Sequence, residues 1–394
     1  MVANSESFVN IQSNHRLMLQ WFAPCKHRRF TMNCRGRAPW YGHEDNDMTD
    51  VFSEIIDHPS AWKGSDFAGP DDVAFDLDER HLDALRAVVA RAYAAGRGIQ
   101  DLTDAETAMP EIEAELKDLR HELMEGRGLL LVRGWPIDEM TDEELGLAYW
   151  ALGTYFGRGV SQSPMGDRLG YVTDVSKPGT QERGYRSSKE LNLHTDSDDI
   201  VGLLCIRQAK SGGESRLASS MAIYNEIAAT RPDLLKPLFQ GYTYHWFGEQ
   251  PPDQGAVTSY PVPVFGRHDG YLSCIFLREF IHMACEETGV ALTDEQAEAL
   301  TLFGDIAERD DIQFRFRLEP GWASFINNYT MLHSRTAFVD WEELEKRRML
   351  LRLWLKAQPS RPLVDNQRRY YGDDGMFVDG RTETVFDPNR QAVE

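Results

Sequence analysis

The sequence predicts a mainly β protein with helical insertions, in which the strands form a closed or sandwiched antiparallel sheet. Three observations support this fold class. From about Leu169 onward, short apolar runs are separated by turns rich in glycine, proline and polar residues, as in proteins built from many short strands. Two helical stretches interrupt those runs. Neither a repeat of about 20 to 50 residues nor a G-x-G-x-x-G motif after a strand is present, so solenoid and dinucleotide-binding folds are not indicated.

Apolar residues at helical spacing, together with capping signals, predict the helices. The first of them ends at Gly96, a residue type that commonly terminates helices. Capping boxes begin two others, because Thr141 is followed three residues later by Glu144, and Thr293 by Gln296. The predicted helices span approximately residues 78–93, 110–125, 141 onward, 221–231 and 294–308.

Short apolar runs bounded by turn residues predict the strands. The first is Gly128 to Gly134, a buried strand with a glycine at each end. The others fall at approximately 171–175, 191–196, 201–208, 242–247, 257–265, 271–277, 312–318, 322–326 and 348–355. Their number and short length favour a closed or sandwiched sheet.

Composition excludes several classes of partner. The chain has 42 Lys and Arg against 63 Asp and Glu, a formal net charge of −21. Nucleic acids and anionic membranes require a basic surface, so we expect neither as a partner. The apolar runs also fall far short of the roughly 18 to 20 residues that a membrane-spanning helix needs. Five cysteines without a C-x-x-C pair indicate free thiols, which predicts a cytoplasmic protein.

Three regions of the chain differ in composition. Residues 1–47 carry six basic and four acidic side chains, so the rest of the chain carries a charge of −23. We expect residues 1–47 to be disordered or an extension upstream of the true start, with a mitochondrial presequence as an alternative. Residues 48–358 are predicted to form a single domain with helices at its start. Residues 359–394 are predicted to be a polar tail that packs on this domain.

One segment offers a histidine and a carboxylate to the same metal ion. His194 and Asp196 lie two residues apart in a predicted strand, so their side chains point to the same face. Chance predicts about 1.8 His-x-acid matches at this composition, and the sequence contains three. One of the others lies within residues 1–47, and the third begins at His81 on a predicted helix, where residues two apart diverge. Only His194 and Asp196 have suitable geometry.

A distant block supplies another candidate ligand. The segment from Gly321 to Arg335 begins at a tight turn, continues as an apolar strand that ends in two asparagines, and leads to a single histidine, His333. Two histidines and one carboxylate would form a facial triad, which leaves adjacent positions open on a non-haem Fe(II). The alternative is that His333 is a hydrogen-bonded histidine of the core.

The final predicted strand directs arginines toward the interior. Between Arg347 and Leu355 the residues alternate, so that one face is apolar while Arg348, Arg352 and Trp354 share the other. A guanidinium inside a sheet is unfavourable unless it meets an anion. Arg348 and Arg352 therefore predict a pocket for carboxylates, whereas Arg347 is assigned to the rim. The alternative is that both interior arginines pair with internal Asp or Glu.

Together these blocks resemble the TauD/TfdA-like family of Fe(II)- and 2-oxoglutarate-dependent oxygenases, which includes taurine dioxygenase and a clavaminate-synthase-like branch. The resemblance covers roughly residues 128–357. It rests on His194-x-Asp196, Gly212-Gly213-Glu214-Ser215, Asn327-Asn328, His333 to Phe338 and Arg348 to Leu355. It implies a double-stranded β-helix, or jelly-roll, core flanked by helices. It also implies Fe(II), the co-substrate 2-oxoglutarate and O2.

The resemblance assigns the cofactor-binding residues. In this family the two histidines and the acid bind iron, which implies His194, Asp196 and His333. An arginine about 15 residues after the second histidine holds the distal carboxylate of 2-oxoglutarate, and the interval of 15 residues from His333 selects Arg348. A Thr or Ser in a Gly-Gly-x-Thr/Ser turn often assists, which implies Ser215. For Ser215, a simple hairpin turn is an equal alternative.

Further assignments concern the substrate side. Arg352 matches a family arginine that contacts substrate or co-substrate, and Arg335 is expected to orient its loop through an ion pair. The polar loop between Val175 and Leu191 precedes the first ligand, as lids often do. Tyr185 and Arg186 are therefore expected to close over substrate. The alternative is an ordinary surface loop.

The implied reaction is hydroxylation of a small molecule, or a desaturating or cyclising variant, with succinate and CO2 as co-products. Halogenation is not expected, because halogenating relatives replace the acid that Asp196 provides. Two alternatives stay open: a jelly-roll metalloenzyme that does not use 2-oxoglutarate, and a non-catalytic small-molecule binding module. Arg352 favours an acidic or amino-acid-like substrate. The sequence leaves open whether the protein forms homo-oligomers.

Overall fold

The computed structural model describes residues 54–174, 184–252, 254–368 and 374–380. All of them belong to the second of two compact units into which the chain divides, residues 40–394. The expectations for residues 1–47 fall outside the described ranges. No helix within these ranges is long and apolar enough to cross a membrane.

In the described ranges the chain forms fifteen strands and eight α-helices. The strands are β1 (Ala74–Asp76), β2 (Leu129–Arg133), β3 (Arg158–Gly159), β4 (Leu169–Val172), β5 (Leu191–His194), β6 (Ile200–Arg207), β7 (Ser211–Gly212), β8 (Ser215–Ser219), β9 (Phe265–His268), β10 (Tyr271–Cys274), β11 (Gln313–Phe316), β12 (Trp322–Asn327), β13 (Met331–Arg335), β14 (Phe338–Val339) and β15 (Met349–Lys356). The helices are α1 (Glu79–Ala95), α2 (Asp104–Thr107), α3 (Glu113–Glu125), α4 (Asp142–Thr154), α5 (Ser220–Thr230), α6 (Leu235–Gln240), α7 (Arg278–Thr288) and α8 (Asp294–Ala307).

Two sheets face each other across a buried core. The larger sheet has the order β1-β2-β12-β6-β15-β3, with β4 also paired to β15, and the smaller has the order β11-β8-β13-β5. All pairings in both are antiparallel except β1 with β2. Val201 and Trp354 of the larger sheet and Leu217 and Met331 of the smaller belong to the same buried cluster. The predicted mainly β fold with a sandwiched antiparallel core is confirmed.

Helices cover the outer face of each sheet. On the larger sheet, Leu351 and Leu353 of β15 pack in one cluster with residues of α1, α3 and α4. On the smaller sheet, Leu332 of β13 packs with residues of α5, α6, α7 and α8. The predicted ends of α1 are confirmed: the Asp78 carboxylate accepts hydrogen bonds from the first turn, and Gly96 adopts a left-handed φ of 61°.

Some predicted elements were wrong. Residues 242–247 and 257–265 form only isolated bridges, Tyr242 with Val262 and His245 with Val257, before a strand begins at Phe265. Proline accounts for part of this difference, because residues 261 and 263 lack the N–H that a strand ladder requires. The helix predicted at 110–125 begins at residue 113. Helix α7 and strands β8 and β13 were not predicted.

The described parts of the C-terminal segment contact the domain. The buried Arg361 guanidinium donates hydrogen bonds to Ser273 Oγ and Leu272 O, at 3.0 and 2.9 Å. Further along, Met376 N donates to Ser161 O at 2.9 Å. Residues 359–368 and 374–380 therefore lie against the domain at two separate places.

Candidate metal centre

The structure brings His194, Asp196 and His333 together. Strands β5 and β13 are antiparallel neighbours in which His194 stands directly opposite His333, so both rings share the inner face. Their centroids are 4.4 Å apart. Asp196 Oδ1 lies 3.9 Å from His194 Nε2, and Oδ2 lies 3.6 Å from His333 Nε2. One ligand atom from each residue lies within 4.8 Å of the others, which is close enough to share one ion.

A loop contact, and not strand alternation, positions Asp196. Strand β5 ends at His194, so the predicted strand over residues 191–196 is too long. Asp196 N instead donates a hydrogen bond to Asn328 Oδ1 at 2.8 Å, and Asn328 Nδ2 donates to Asp198 O at 2.8 Å. Asn328 is fully buried in the turn between β12 and β13. The turn that leads to His333 therefore also holds the backbone that carries the carboxylate.

Hydrogen bonds and burial favour the metal-binding form of His194 and Asp196. His194 Nδ1 lies 2.8 Å from Asn192 O, a carbonyl that can only accept, so the lone pair is on Nε2. Burial, with the neighbouring His333, lowers the pKa of His194 to about 4. Burial alone would raise the pKa of Asp196, but the nearby His333, together with Arg352, holds it well below its usual value. Trp354 Nε1 donates to Asp196 Oδ2 at 2.8 Å.

These donors fit a non-haem Fe(II). Two imidazoles and one carboxylate on one face are the donor set that such iron takes, with the remaining positions open. The side chains of His194 and His333 are 19% and 13% exposed, and that of Asp196 is 9% exposed, so the group borders a space that a ligand can reach. The alternative of a hydrogen-bonded core histidine does not describe His333, because its Nδ1 is buried with no partner in the described residues.

A cavity of about 330 Å³ adjoins the triad. We call one group of its lining residues the basic side and another group, from residues 247–283, the apolar side. The basic side is lined by Ser215, Arg335, Arg348 and Arg352. The apolar side is lined by Phe247, Leu277, Phe280 and Met283.

Arg348 is buried without an ion-pair partner. Its side chain lies over the ring of Phe338 at 5.1 Å, and its Nε donates to Gln208 Oε1 at 3.2 Å. Among the described residues no carboxylate lies within 4 Å of its guanidinium. Burial lowers the pKa of Arg348 to about 10, so the group stays cationic at neutral pH. An internal ion pair therefore does not explain this arginine, and the cavity beside it can take an anion.

Arg352 connects the triad to the predicted lid. Its guanidinium lies 4.2 Å from the ring of Tyr185 and 4.9 Å from that of Trp354, and its Nε donates to Gln162 Oε1. Tyr185 lies in a short 3-10 turn, Gly184–Arg186, and lines the cavity. Arg186 belongs to the same turn but is not part of the lining that the described residues form. Residues 175–183 of the predicted lid lie outside the described ranges.

The other predicted residues also lie at the basic side. Ser215 begins β8 and stands directly opposite Arg335 of β13. The expectation that Arg335 forms an ion pair was wrong. Its Nη2 donates instead to the backbone oxygens of Ser187 and Lys189, at 2.9 and 2.6 Å. These two backbone carbonyl oxygens accept the hydrogen bonds that a carboxylate was expected to accept.

Sequence reasoning missed the apolar side of the cavity. Phe247 has a left-handed backbone φ of 58°, unusual for a large side chain, and its amide donates to His245 Nδ1 at 2.8 Å. Its ring stacks on that of Phe280, with centroids 5.5 Å apart and planes 6° from parallel. No local pattern identified this pair, because residues 242–247 read as a strand and α7 was not predicted. Asn328, Gln162 and Gln208 were missed as supporting residues for the same reason: each acts through contacts distant in sequence.

Residues 98–354 match the family described as "Taurine catabolism dioxygenase TauD, TfdA family". The chain belongs to this family, which confirms the resemblance.

Two relatives match most of the length of the chain. The chain is 30% identical over 320 residues to FR-33289 synthase of Streptomyces rubellomurinus, a match that covers 80% of this chain and 94% of that protein. It is 29% identical over 334 residues to the taurine hydroxylase-like protein SAT17 of Stachybotrys chartarum, covering 79% of this chain and 85% of that protein.

The solved structures with this fold include iron oxygenases. Asparagine oxygenase in complex with Fe(II), 2S,3S-3-hydroxyasparagine and succinate has a TM-score of 0.56 at 17% identity, over 72% of this chain and 93% of that one. The non-heme iron oxygenase OrfP in complex with Fe and alpha-ketoglutaric acid has a TM-score of 0.52 at 12% identity, over 76% of this chain and 100% of that one. The fold is therefore the jelly-roll fold of these oxygenases.

Proposed function

We propose that the protein is an Fe(II)- and 2-oxoglutarate-dependent oxygenase that hydroxylates a small molecule. The observation that carries this proposal is one cavity in which a His-Asp-His triad adjoins a buried arginine that has no ion pair among the described residues. The overall reaction converts R–H, 2-oxoglutarate and O2 into R–OH, succinate and CO2. Desaturation or cyclisation would use the same residues.

In this proposal His194, Asp196 and His333 hold the iron. Iron supplies the activation of oxygen and the attack on a C–H bond when it is bound. The protein supplies the ligand geometry: Asn328 fixes the backbone of Asp196, and Trp354 orients its carboxylate. Such outer hydrogen bonds hold metal ligands in place before the metal arrives.

Arg348 and Ser215 take the distal carboxylate of 2-oxoglutarate. A charge-assisted hydrogen bond from a buried guanidinium is among the stronger contacts available to a carboxylate. The guanidinium is already held by Gln208 and the ring of Phe338, so little order must be gained on binding. The Ser215 side of β8 lines the same part of the cavity.

The substrate then occupies the space between the 3-10 turn Gly184–Arg186 and the apolar side of the cavity. Tyr185 and Arg352 would contact a polar or acidic group, with Arg186 at the entrance, while Phe247 and Phe280 would contact apolar atoms. An amino-acid-like compound fits this pairing. The solved structures named above include hydroxyasparagine bound to asparagine oxygenase, and OrfP has also been solved with (3S)-hydroxy-L-Arg.

We also propose that the protein works in a reducing compartment such as the cytoplasm. Cys205, Cys274 and Cys285 are free thiols, and the first two are buried. Burial raises the pKa of Cys205 to about 12, which keeps this thiol unreactive.

The decisive experiment combines a spectrum with product analysis. Anaerobic addition of Fe(II) and 2-oxoglutarate to the wild-type protein should produce a weak visible charge-transfer band, and admission of O2 should release succinate. His194→Ala should give neither. A wild-type protein that binds iron without the band would indicate a metalloenzyme that does not use 2-oxoglutarate. A wild-type band with no succinate release in any substrate screen would indicate a binding module.

A further inference from the structure

Arg335 joins the basic side of the cavity to the turn that carries Tyr185. It lies on β13, two residues after His333, and is 6% exposed. Its guanidinium lies over the ring of Phe338 at 4.6 Å, and the same ring lies 5.1 Å from the Arg348 guanidinium. Two cationic groups that line the cavity are thus packed on one aromatic ring.

One nitrogen of this guanidinium holds the segment 184–190. Nη2 donates to Ser187 O and Lys189 O. The residue between them is held as well, because Phe338 N donates to Ser188 O at 3.1 Å. This segment includes the 3-10 turn that places Tyr185 against Arg352. Arg335 therefore fixes the base of the turn that covers the cavity.

The other terminal nitrogen has no hydrogen-bond partner within the part of the chain that the structure describes. Nη1 is buried and lacks a hydrogen-bond acceptor among the described residues. A buried donor of a charged group is normally satisfied, and an unsatisfied one indicates a missing ligand. The neighbouring Arg348 adds a like charge, which makes a bound anion more favourable. Ser215, directly opposite on β8, adds a hydroxyl at the same place.

We propose that Arg335 is a positioning residue that couples occupancy of the 2-oxoglutarate pocket to the order of the segment 184–190. This inference rests on the proposed function. When the distal carboxylate lies against Arg348, Nη1 of Arg335 donates to it and Nη2 keeps the two loop carbonyls. The co-substrate thereby stabilises the turn that presents Tyr185, so the pocket for substrate is completed after 2-oxoglutarate binds.

The first test uses the wild-type protein with Fe(II), without oxygen. Trypsin can cut the segment after Arg186 and after Lys189, and mass spectrometry quantifies both cuts. 2-Oxoglutarate should slow them at least about fivefold, because cleavage follows the population of the open segment. 2-Oxopentanoate has the same chain length with a methyl group in place of the distal carboxylate. At equal occupancy of the charge-transfer band, it should give no protection, and equal protection by both acids would overturn the inference.

The second test uses variants. Arg335→Met should weaken 2-oxoglutarate binding by about 10- to 100-fold and abolish the protection, while iron content stays at the wild-type level. Arg335→Lys keeps the charge with fewer donors and should be intermediate, which guards against a fold defect in the methionine variant. Arg347→Met removes the neighbouring arginine, whose Nε donates to Trp341 O and which is not among the described residues that line the cavity, and should match wild type. Wild-type affinity and protection in Arg335→Met would refute the coupling.

The two proposals fail in different ways. Absence of the charge-transfer band in the wild-type protein overturns the proposed function, and the inference with it. A normal band without any effect of 2-oxoglutarate on cleavage at Arg186 and Lys189 overturns the inference alone.

Discussion

The two sheets contribute opposite chemistry to one cavity. The smaller sheet supplies His194 and His333 from adjacent strands, whereas the larger sheet supplies Arg352 from β15 and Arg348 immediately before it. The smaller sheet thus presents lone pairs to a cation, and the larger presents donors to an anion. A ligand that chelates a metal at one end and carries a carboxylate at the other bridges the sheets.

Residues of both sheets cross this division, among them Ser215 of the smaller sheet, which lies at the basic side. Trp354 of the larger sheet donates to Asp196, and Arg335 of the smaller sheet lies beside Arg348. The metal ligands and the arginines therefore come from different sheets, but contacts between the sheets connect them. Substitutions on one side should therefore leave the other side intact, except at these crossing residues.

The largest effect is expected from Asp196→Ala. This removes the anionic ligand, so iron affinity should fall by more than about 100-fold, beyond the loss that outer partners cause. Succinate formation should fall to background. Iron content after anaerobic reconstitution and desalting measures the effect. Glu342→Ala, an exposed acid outside the cavity lining, is the matched control, and a wild-type iron content in Asp196→Ala would contradict the triad.

Arg348→Ala tests the opposite side. The dissociation constant for 2-oxoglutarate should rise by about 100-fold, which corresponds to ~2.7 kcal/mol, because a buried charge-assisted contact is lost. Iron content should be unchanged. Anaerobic titration of the visible band measures both quantities. Equal losses of iron and 2-oxoglutarate binding would show that the two sides are not separate, and Arg347→Ala serves as the control for loss of charge.

Trp354→Phe tests the contact between the sheets. Phenylalanine keeps most of the buried ring but cannot donate to Asp196 Oδ2, so iron affinity should weaken by about tenfold. The matched control is Trp150→Phe, because Trp150 is a buried tryptophan of α4 that packs against the outer face of the larger sheet. Competition with a chelator measures the affinity. Identical iron affinity in the two variants would show that the indole hydrogen bond has no part in orienting the carboxylate.

The smallest effect is expected from Tyr185→Ala. Loss of the ring that stacks on Arg352 should raise the KM for substrate by about 2- to 5-fold, the range of a cation–π contact that is not fully desolvated. More succinate should form per hydroxylated product, since the cavity is less well closed. Tyr185→Phe keeps the ring and should behave like wild type. If the alanine and phenylalanine variants share one KM, the ring does not contact the bound substrate.

Alternation within one strand was sufficient to predict Arg348 and Arg352 of the basic side, whereas Ser215 and Arg335 were assigned from the family resemblance. Alternation along β15 places Arg352 and Trp354 on the inner face because a strand has a period of two. Alternation did not account for Asp196, whose position depends on a hydrogen bond to Asn328, 132 residues away. The structure brings His194 and Asp196 together as predicted, but strand alternation is only part of the reason.

The apolar side of the cavity was not predicted, because residues 242–247 do not form the expected strand and helix α7 was missed. Phe247 follows a stretch that pairs only through isolated bridges, and Phe280 lies on a helix that starts soon after β10. Their stacking is a tertiary contact, which neither residue's neighbours in sequence encode. Elements that rest on local periodicity were predictable, whereas contacts between irregular segments were not.

The left-handed backbone at Phe247 has a consequence for changing what the cavity accepts. Most substitutions that enlarge a cavity also lower stability, because buried apolar contacts are lost and empty space is left behind. At Phe247 the φ of 58° suits glycine better than any larger residue, so Phe247→Gly relieves backbone strain while it removes the ring. Phe247→Gly should therefore admit bulkier substrates with a smaller loss of stability than cavity-enlarging substitutions usually cause.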